Sequence, residues 1–222
     1  MPQPESADAP TADRIATAVR DAILAGSLRP GEPLREAQLA LEHGVSRNTV
    51  REAFRLLQGD GLTDHRRHCG TVVRRIGPAD IRDVYAVRRT IELRAIEMIN
   101  HAGDAALGRL EQRVRDAEQA RDEGRWQEVG TASLSFHREL AATLASPTLD
   151  AVMDGVLSRL RLAFAPMPDE GAFQAPWVER DRAINDLLQR GRSGAARDAM
   201  RVYLDDSENQ VIGAVREYLH DD

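Results

Sequence analysis

Apolar side chains recur along the first third of the chain at spacings that fit helices. Ile15, Val19, Ala22 and Ile23 fall at i, i+4, i+7 and i+8, one face of a helix that Gly26 can end ahead of a Pro30-Gly31 turn. A second, shorter helix is predicted over Glu36 to His43 and stops at Gly44. Ser46 then supplies an N-cap, and Val50, Ala53, Phe54 and Leu57 carry a third stripe as far as Gly59 and Gly61. Past Leu62 the period shortens. Thr71, Val72 and Val73 are strand formers, and the six residues His65 to Gly70 separate them from Leu62, Thr63 and Asp64, the pattern of a small hairpin. Three helices with a tight turn between the last two, followed by a hairpin, is the order of a winged helix-turn-helix.

Beyond Gly77-Pro78 every period is helical, with helices predicted over roughly 78–102, 104–123, 126–145, 147–165, 175–190 and 194–219. Ser146-Pro147 and Ala175-Pro176 place proline at helix starts, and 166–172 is the one long loop. The expected fold class is mainly α: a leader at 1–11 rich in Pro, Ala and acids and expected to be disordered, a winged helix-turn-helix at 12–76, and an all-helical bundle at 77–222. An aromatic content of 4% agrees with helices over a sandwich or barrel. The chain shows no membrane-length apolar run, no secretory stretch in its first thirty residues and a single cysteine, Cys69, so the cytoplasm is the expected location and no membrane partner is expected.

Charge divides the chain unevenly. Residues 1–76 carry 11 Arg against 10 acids, whereas 77–222 carry 19 Arg against 26 acids, so the total of −6 hides two unlike halves. Within 46–75 there are seven Arg and three acids. At 100° per residue, a helix starting at Ser46 puts Arg47, Asn48, Arg51 and Arg55 in one quadrant and the apolar stripe opposite. Arg matches guanine O6 and N7 with two parallel hydrogen bonds and Asn can do the same for adenine, while Ser46 and Thr49 suit phosphates. The cationic hairpin tip, with Arg66, Arg67, His68 and Gly70, suits a wing lying along a phosphate backbone or minor groove.

The stretch LREAQLALEHGVSRNTVREAFRLLQGDGL resembles the DNA-binding domain of the GntR family of bacterial transcription regulators over about residues 12–75, and its GVSRNTVREA core is specific. The resemblance implies that Arg47, Asn48, Thr49 and Arg51 read bases or phosphates and that His68 and Gly70 sit in the wing. Arg35 joins the residues assigned to DNA. The sequence departs from the family at Ala37, where many relatives carry a DNA-contacting Arg in an E-R-E run.

The second half is similar to the helical ligand-binding domain of the FadR-like branch, through VRRTIELRAIE at 87–97, FHREL at 136–140 and DRAINDLLQRGRSGAARDAMRVYL at 181–204. Many relatives hold a divalent metal there with an Asp and three His. Carried over, those positions are Ser133, His137, Asp181 and Tyr203, so one expected ligand survives and no metal or other cofactor is expected. The implied site is instead a metal-free pocket in which Ser133, His137, Asp181, Asn185 and Tyr203 bond each other or an organic effector. Arg88 either grips an effector carboxylate or pairs with Glu92 four residues on. His137 has a second reading, as a satisfied core residue. Ser133, His137 and Asp181 also have the residue types of a hydrolase triad, but Ser133 falls in mid-helix without a strained elbow or oxyanion-binding turn, and no catalysis is expected.

Together these features imply a homodimeric regulator, by default a repressor, that binds an inverted-repeat operator in double-stranded DNA and answers to a small organic effector. The alternative is a small-molecule-binding protein or enzyme with a vestigial DNA-binding head.

Overall fold

A computed structural model of the chain describes residues 11–164, 167 and 169–220. The leader expected at 1–11 lies outside them except for Thr11, which is already helical. The chain divides into two compact units, Met1–Arg75 and Ile76–Asp222.

In the first unit, helices α1 (Thr11–Leu24), α2 (Glu36–Glu42) and α3 (Arg47–Gly59) precede a hairpin of β1 (Thr63–Arg66) and β2 (Gly70–Val73). The predicted stripes form its core: Ile15, Val19 and Ile23 of α1 are buried, as are Val50, Ala53, Phe54 and Leu57 of α3. The turn between α2 and α3 closes through Gly44, at φ +65°, whose N–H donates to Leu41 O while that of Val45 donates to Ala40 O. This paired closure needs a left-handed residue, and glycine enters that region without strain. The strands are antiparallel, with Thr63 opposite Val73 and Arg66 opposite Gly70. The segment 31–34, predicted only as a turn, also pairs along β2: Gly31 N–H donates to Val73 O, Val73 N–H to Glu32 O and Leu34 N–H to Thr71 O. Proline at Pro33 lacks the N–H that a longer ladder would need, which confines the pairing to a short edge.

The second unit is a bundle of α4 (Pro78–Met98), α5 (Gly103–Asp122), α6 (Trp126–Ala142), α7 (Pro147–Phe164), α8 (Glu170–Gln189) and α9 (Ser193–His220), with one 3₁₀ turn at Ile99–His101. Among the described residues no helix is long and apolar enough to cross a membrane. One boundary corrects the sequence reading. Helix α8 starts at Glu170 rather than 175, and Pro176 lies inside it. Asp169 caps the earlier start, accepting a hydrogen bond from Ala172 N–H at 2.8 Å. The extra turn carries Phe173 and Gln174 into the bundle, where Gln174 is buried.

Candidate nucleic-acid interface and ligand cavity

On α3 the polar quadrant faces solvent: Arg47, Asn48, Arg51 and Arg55 are all exposed, with the buried apolar stripe behind them. Ser46, in extended backbone, accepts from Thr49 N–H at 3.1 Å, and its Oγ lies 2.8 Å from Thr49 Oγ1. Both hydroxyls therefore brace the helix start first and have only their remaining capacity for phosphate. Arg51 is not a free base reader. Its Nε donates to both oxygens of Glu36 on α2, at 2.9 and 3.1 Å, tying the two helices together. The pair is exposed, so it contributes roughly 1 kcal/mol or less and a phosphate can compete for the guanidinium. Arg35, also exposed, sits at the N-cap position of α2 and makes no side-chain cap bond.

The hairpin tip carries Arg66, Arg67, His68 and Cys69, all exposed, with Cys69 N–H donating to Arg66 O at 3.2 Å. His68 takes a left-handed φ of 68° and Gly70 one of 75°. Two left-handed residues so close together turn the chain within three positions, which keeps the wing short and its cations at the end.

In the helical unit a cavity is lined by Arg88, Ser133, His137, Gln174, Trp177 and Tyr203, among others. Its free space is about 20 Å³, roughly one water-sized group. Four of the predicted ligand residues, Arg88, Ser133, His137 and Tyr203, meet on its wall. Asp181 stands just behind, accepting from Ser133 Oγ at 2.7 Å. Asn185 does not join them: its Nδ2 donates to Glu111 at 2.6 Å and its Oδ1 accepts from Gln189, so its polar atoms are engaged away from the cavity.

Arg88 makes the pairing with Glu92. Its Nε donates to Glu92 at 2.6 Å, yet it also lines the cavity, and its Nη2 has no hydrogen-bond partner. Glu92, fully buried, is the pivot of the network. Burial alone would raise its pKa, but the neighbouring Arg88 and His137 overcome that and hold it at about 2. As a carboxylate it can only accept, so His137 donates from Nδ1, at 2.8 Å from Glu92 Oε2. The other ring nitrogen lies 3.1 Å from Tyr203 Oη. Burial lifts the Tyr203 phenol well above its ordinary range, so it keeps its proton, for which His137 Nε2 and the Asp181 carboxylate are both in reach.

The metal-donor groups around the cavity are already engaged with one another. The His137 nitrogen that would ligate a metal faces the phenol, and among the described residues no group of three or more His, Cys, Asp or Glu could hold an ion. The triad reading does not fit the bonding. Histidine should stand between serine and acid, but Ser133 donates straight to Asp181 while His137 bonds Glu92 and Tyr203.

Burial pushes the Asp181 carboxyl up to about 6, against the opposing pull of His137 and Ser133. A folded-state value above the ordinary 3.8 means that the folded protein takes up this proton more readily than the unfolded chain does. Stability therefore falls as pH rises between about 4 and about 6, and the penalty is fully present above that window. Asp181→Asn should remove this component. The stability difference between variant and wild type, from urea unfolding, should shift in the variant's favour by about 3 kcal/mol as pH rises across the window. A difference that is flat with pH would show that Asp181 is solvated.

Sequence reasoning missed Gln174, because it places the long loop at 166–172 and starts the next helix at about 175, and it passes over the aromatic wall of Phe164, Phe173 and Trp177. The Asp169 cap was the available signal.

Comparison with known proteins agrees with both halves. Residues 11–73 match the model of bacterial regulatory proteins of the gntR family, and residues 83–206 match that of the FCD domain. A Paenarthrobacter nicotinovorans protein named "Probable D-xylose utilization operon transcriptional repressor" is 30% identical over 203 residues, 86% of this chain and 85% of its own. YdhC of Bacillus subtilis, an HTH-type transcriptional regulator, is 36% identical over 99 residues, 44% of each chain. The crystal structure of a GntR transcriptional regulator from Rhodococcus sp. RHA1 superposes with a TM-score of 0.81 at 36% identity, covering 91% of this chain and 98% of that one.

Proposed function

Since the chain belongs to the GntR family of bacterial regulatory proteins, with an FCD domain behind its winged helix-turn-helix, we propose that it acts as a homodimeric repressor released from an inverted-repeat operator by a small organic effector. The observation that carries this reading is the two-faced α3: Arg47, Asn48 and Arg55 lie in solvent on a helix anchored by Phe54 and Leu57. A rigid helix with its cap and guanidinium groups at one end suits entry into a major groove. Two heads on one dimer supply the contact area and the symmetry that a short palindrome requires. The effector must bind one arrangement of the heads better than the other, since equal affinity shifts nothing.

The effector reading rests on the buried polar network around Glu92 and His137, walled by aromatics, and it is metal-free because the Tyr203 phenol lies against the coordinating nitrogen. Hydrolysis is not proposed, because Ser133 lacks a histidine base. The absence of a membrane-length helix among the described residues is consistent with action in the cytoplasm.

Fluorescence anisotropy with DNA from upstream of the chain's own gene tests the DNA half. Arg47→Ala should weaken operator binding by about 1–3 kcal/mol and flatten the preference over mutated operators. Arg66→Ala should weaken all duplexes alike and lower the salt slope by about one. Unchanged operator binding by Arg47→Ala would place the recognition surface elsewhere.

A further inference from the structure

Three arginines of α3, Arg47, Arg51 and Arg55, stand four residues apart in the exposed quadrant. Like charges at that spacing repel, and a long side chain left to itself spreads over many rotamers in water. Of the three, only Arg51 is held. Its Nε donates to both carboxylate oxygens of Glu36, whereas Arg47 and Arg55 make no hydrogen bond or ion pair among the described residues.

The carboxylate comes from outside the helix. Glu36 lies in the first turn of α2, which buries none of its residues and is joined to α3 through the backbone closure at Gly44. With the Arg51 and Glu36 side chains 57% and 33% exposed, the pair adds little to stability. Its larger effect is to fix one guanidinium, in the middle of the arginine row, on the polar face of α3.

The edge left over decides what that guanidinium can read. Nε is spent on Glu36, and the two Nη groups keep their N–H donors side by side at the far end of the planar group. That pair matches guanine O6 and N7 in the major groove, whereas adenine and thymine each offer it a single acceptor and cytosine a donor. The carboxylate selects further. A phosphate can take Arg51 only in competition with the Glu36 charge, but a guanine edge brings neutral acceptors and leaves the ion pair standing.

Resting on the operator-binding reading, we infer that Glu36 is a positioning residue that holds Arg51 end-on to a guanine of the operator, which makes Arg51 a base reader rather than a phosphate contact. The carboxylate acts in two opposed ways. It lowers affinity for every duplex by repelling the backbone, and it raises the preference for guanine by ordering the arginine before DNA arrives.

The test is selection from a randomised duplex library by the full chain, comparing wild type with Arg51→Ala, Glu36→Ala and Glu36→Gln, with anisotropy on a scrambled duplex beside it. Wild type should enrich a guanine whose preference falls about tenfold in Arg51→Ala. The same position alone should fade by about fivefold or more in Glu36→Ala, and by less in Glu36→Gln, which keeps one acceptor for Nε. On the scrambled duplex the order reverses. Both Glu36 variants should bind as well as wild type or several-fold tighter, and Arg51→Ala more weakly. A Glu36 that merely held the head together would move both readouts down in step.

The inference is overturned if Glu36→Ala keeps the guanine preference, if Arg51→Ala leaves the base preferences unchanged, or if Glu36→Ala loses selected and scrambled duplexes in equal measure. Wild type itself separates this claim from the one beneath it. A chain that enriches no sequence defeats the operator-binding reading and this inference with it, whereas enrichment that is identical in Glu36→Ala removes the positioning role alone.

Discussion

Glu92→Ala should destabilise the helical unit by about 3–5 kcal/mol, the effect expected when one partner of a buried ion pair is removed. Glu92 is fully buried and accepts from both Arg88 Nε and His137 Nδ1. Its loss strands a guanidinium that burial alone would tend to neutralise but whose pKa Glu92 and the neighbouring tyrosines hold above its ordinary value. It also strands a ring N–H. Both tryptophans, Trp126 and Trp177, lie in this unit, so their fluorescence during urea unfolding reports on it directly. Replacing both charges, as in Arg88→Met with Glu92→Met, should recover the part of the loss that comes from the stranded guanidinium, while the His137 N–H stays unpaired. Should Glu92→Ala cost less than about 1 kcal/mol, the pair must be reached by water and the cavity described here would be open. The pH dependence carries the same information. With its pKa depressed to about 2, Glu92 contributes stability above about 4.5 that disappears as pH falls toward 2.

Phe54→Ala should cost about 3–5 kcal/mol in the first unit and abolish operator binding without touching the second. Phe54 is 5% exposed at the centre of the stripe that seats α3 on α1. A unit of this size buries too little surface to absorb such a loss, so most of its stability should go with one ring. Hydrogen exchange separates the units cleanly. Amides of α3 should exchange at rates close to the unfolded limit while those of α4 to α9 stay protected. Retained protection across α3 would mean that its orientation does not depend on the ring, and the division into an apolar and a cationic face would lose its force.

The recognition helix was legible because three local signals coincided at the same residues: the Ser46 cap, the 3.6-residue period of Val50, Ala53, Phe54 and Leu57, and arginines on the opposite side. The bundle helices were legible for the same reason, each carrying its own period. What escaped depended on distant partners. Asn185 was grouped with Asp181 on the motif they share, but a carboxylate 74 residues away, Glu111, claims its amide, and nothing local announces that. The helical period places Arg51 in the polar quadrant, but its pairing with Glu36 depends on a neighbouring helix and is not visible in that period. Pro176 suggested a helix start because proline is most at home in a first turn, whereas the true start is set by the Asp169 carboxylate seven residues earlier. That one misplacement hid Gln174. Arg88 and Glu92 could be paired on paper from their spacing, yet the spare Nη2 donor emerges only once the surrounding helices wall it in.

Cys69 is the sole thiol of the chain, and it sits in solvent at the tip of the wing between His68 and Gly70. A maleimide dye would therefore attach at one defined place without any prior mutagenesis. Attached there, it converts the hairpin into an optical gauge of duplex docking, while the helical unit, which carries no thiol, stays chemically unaltered.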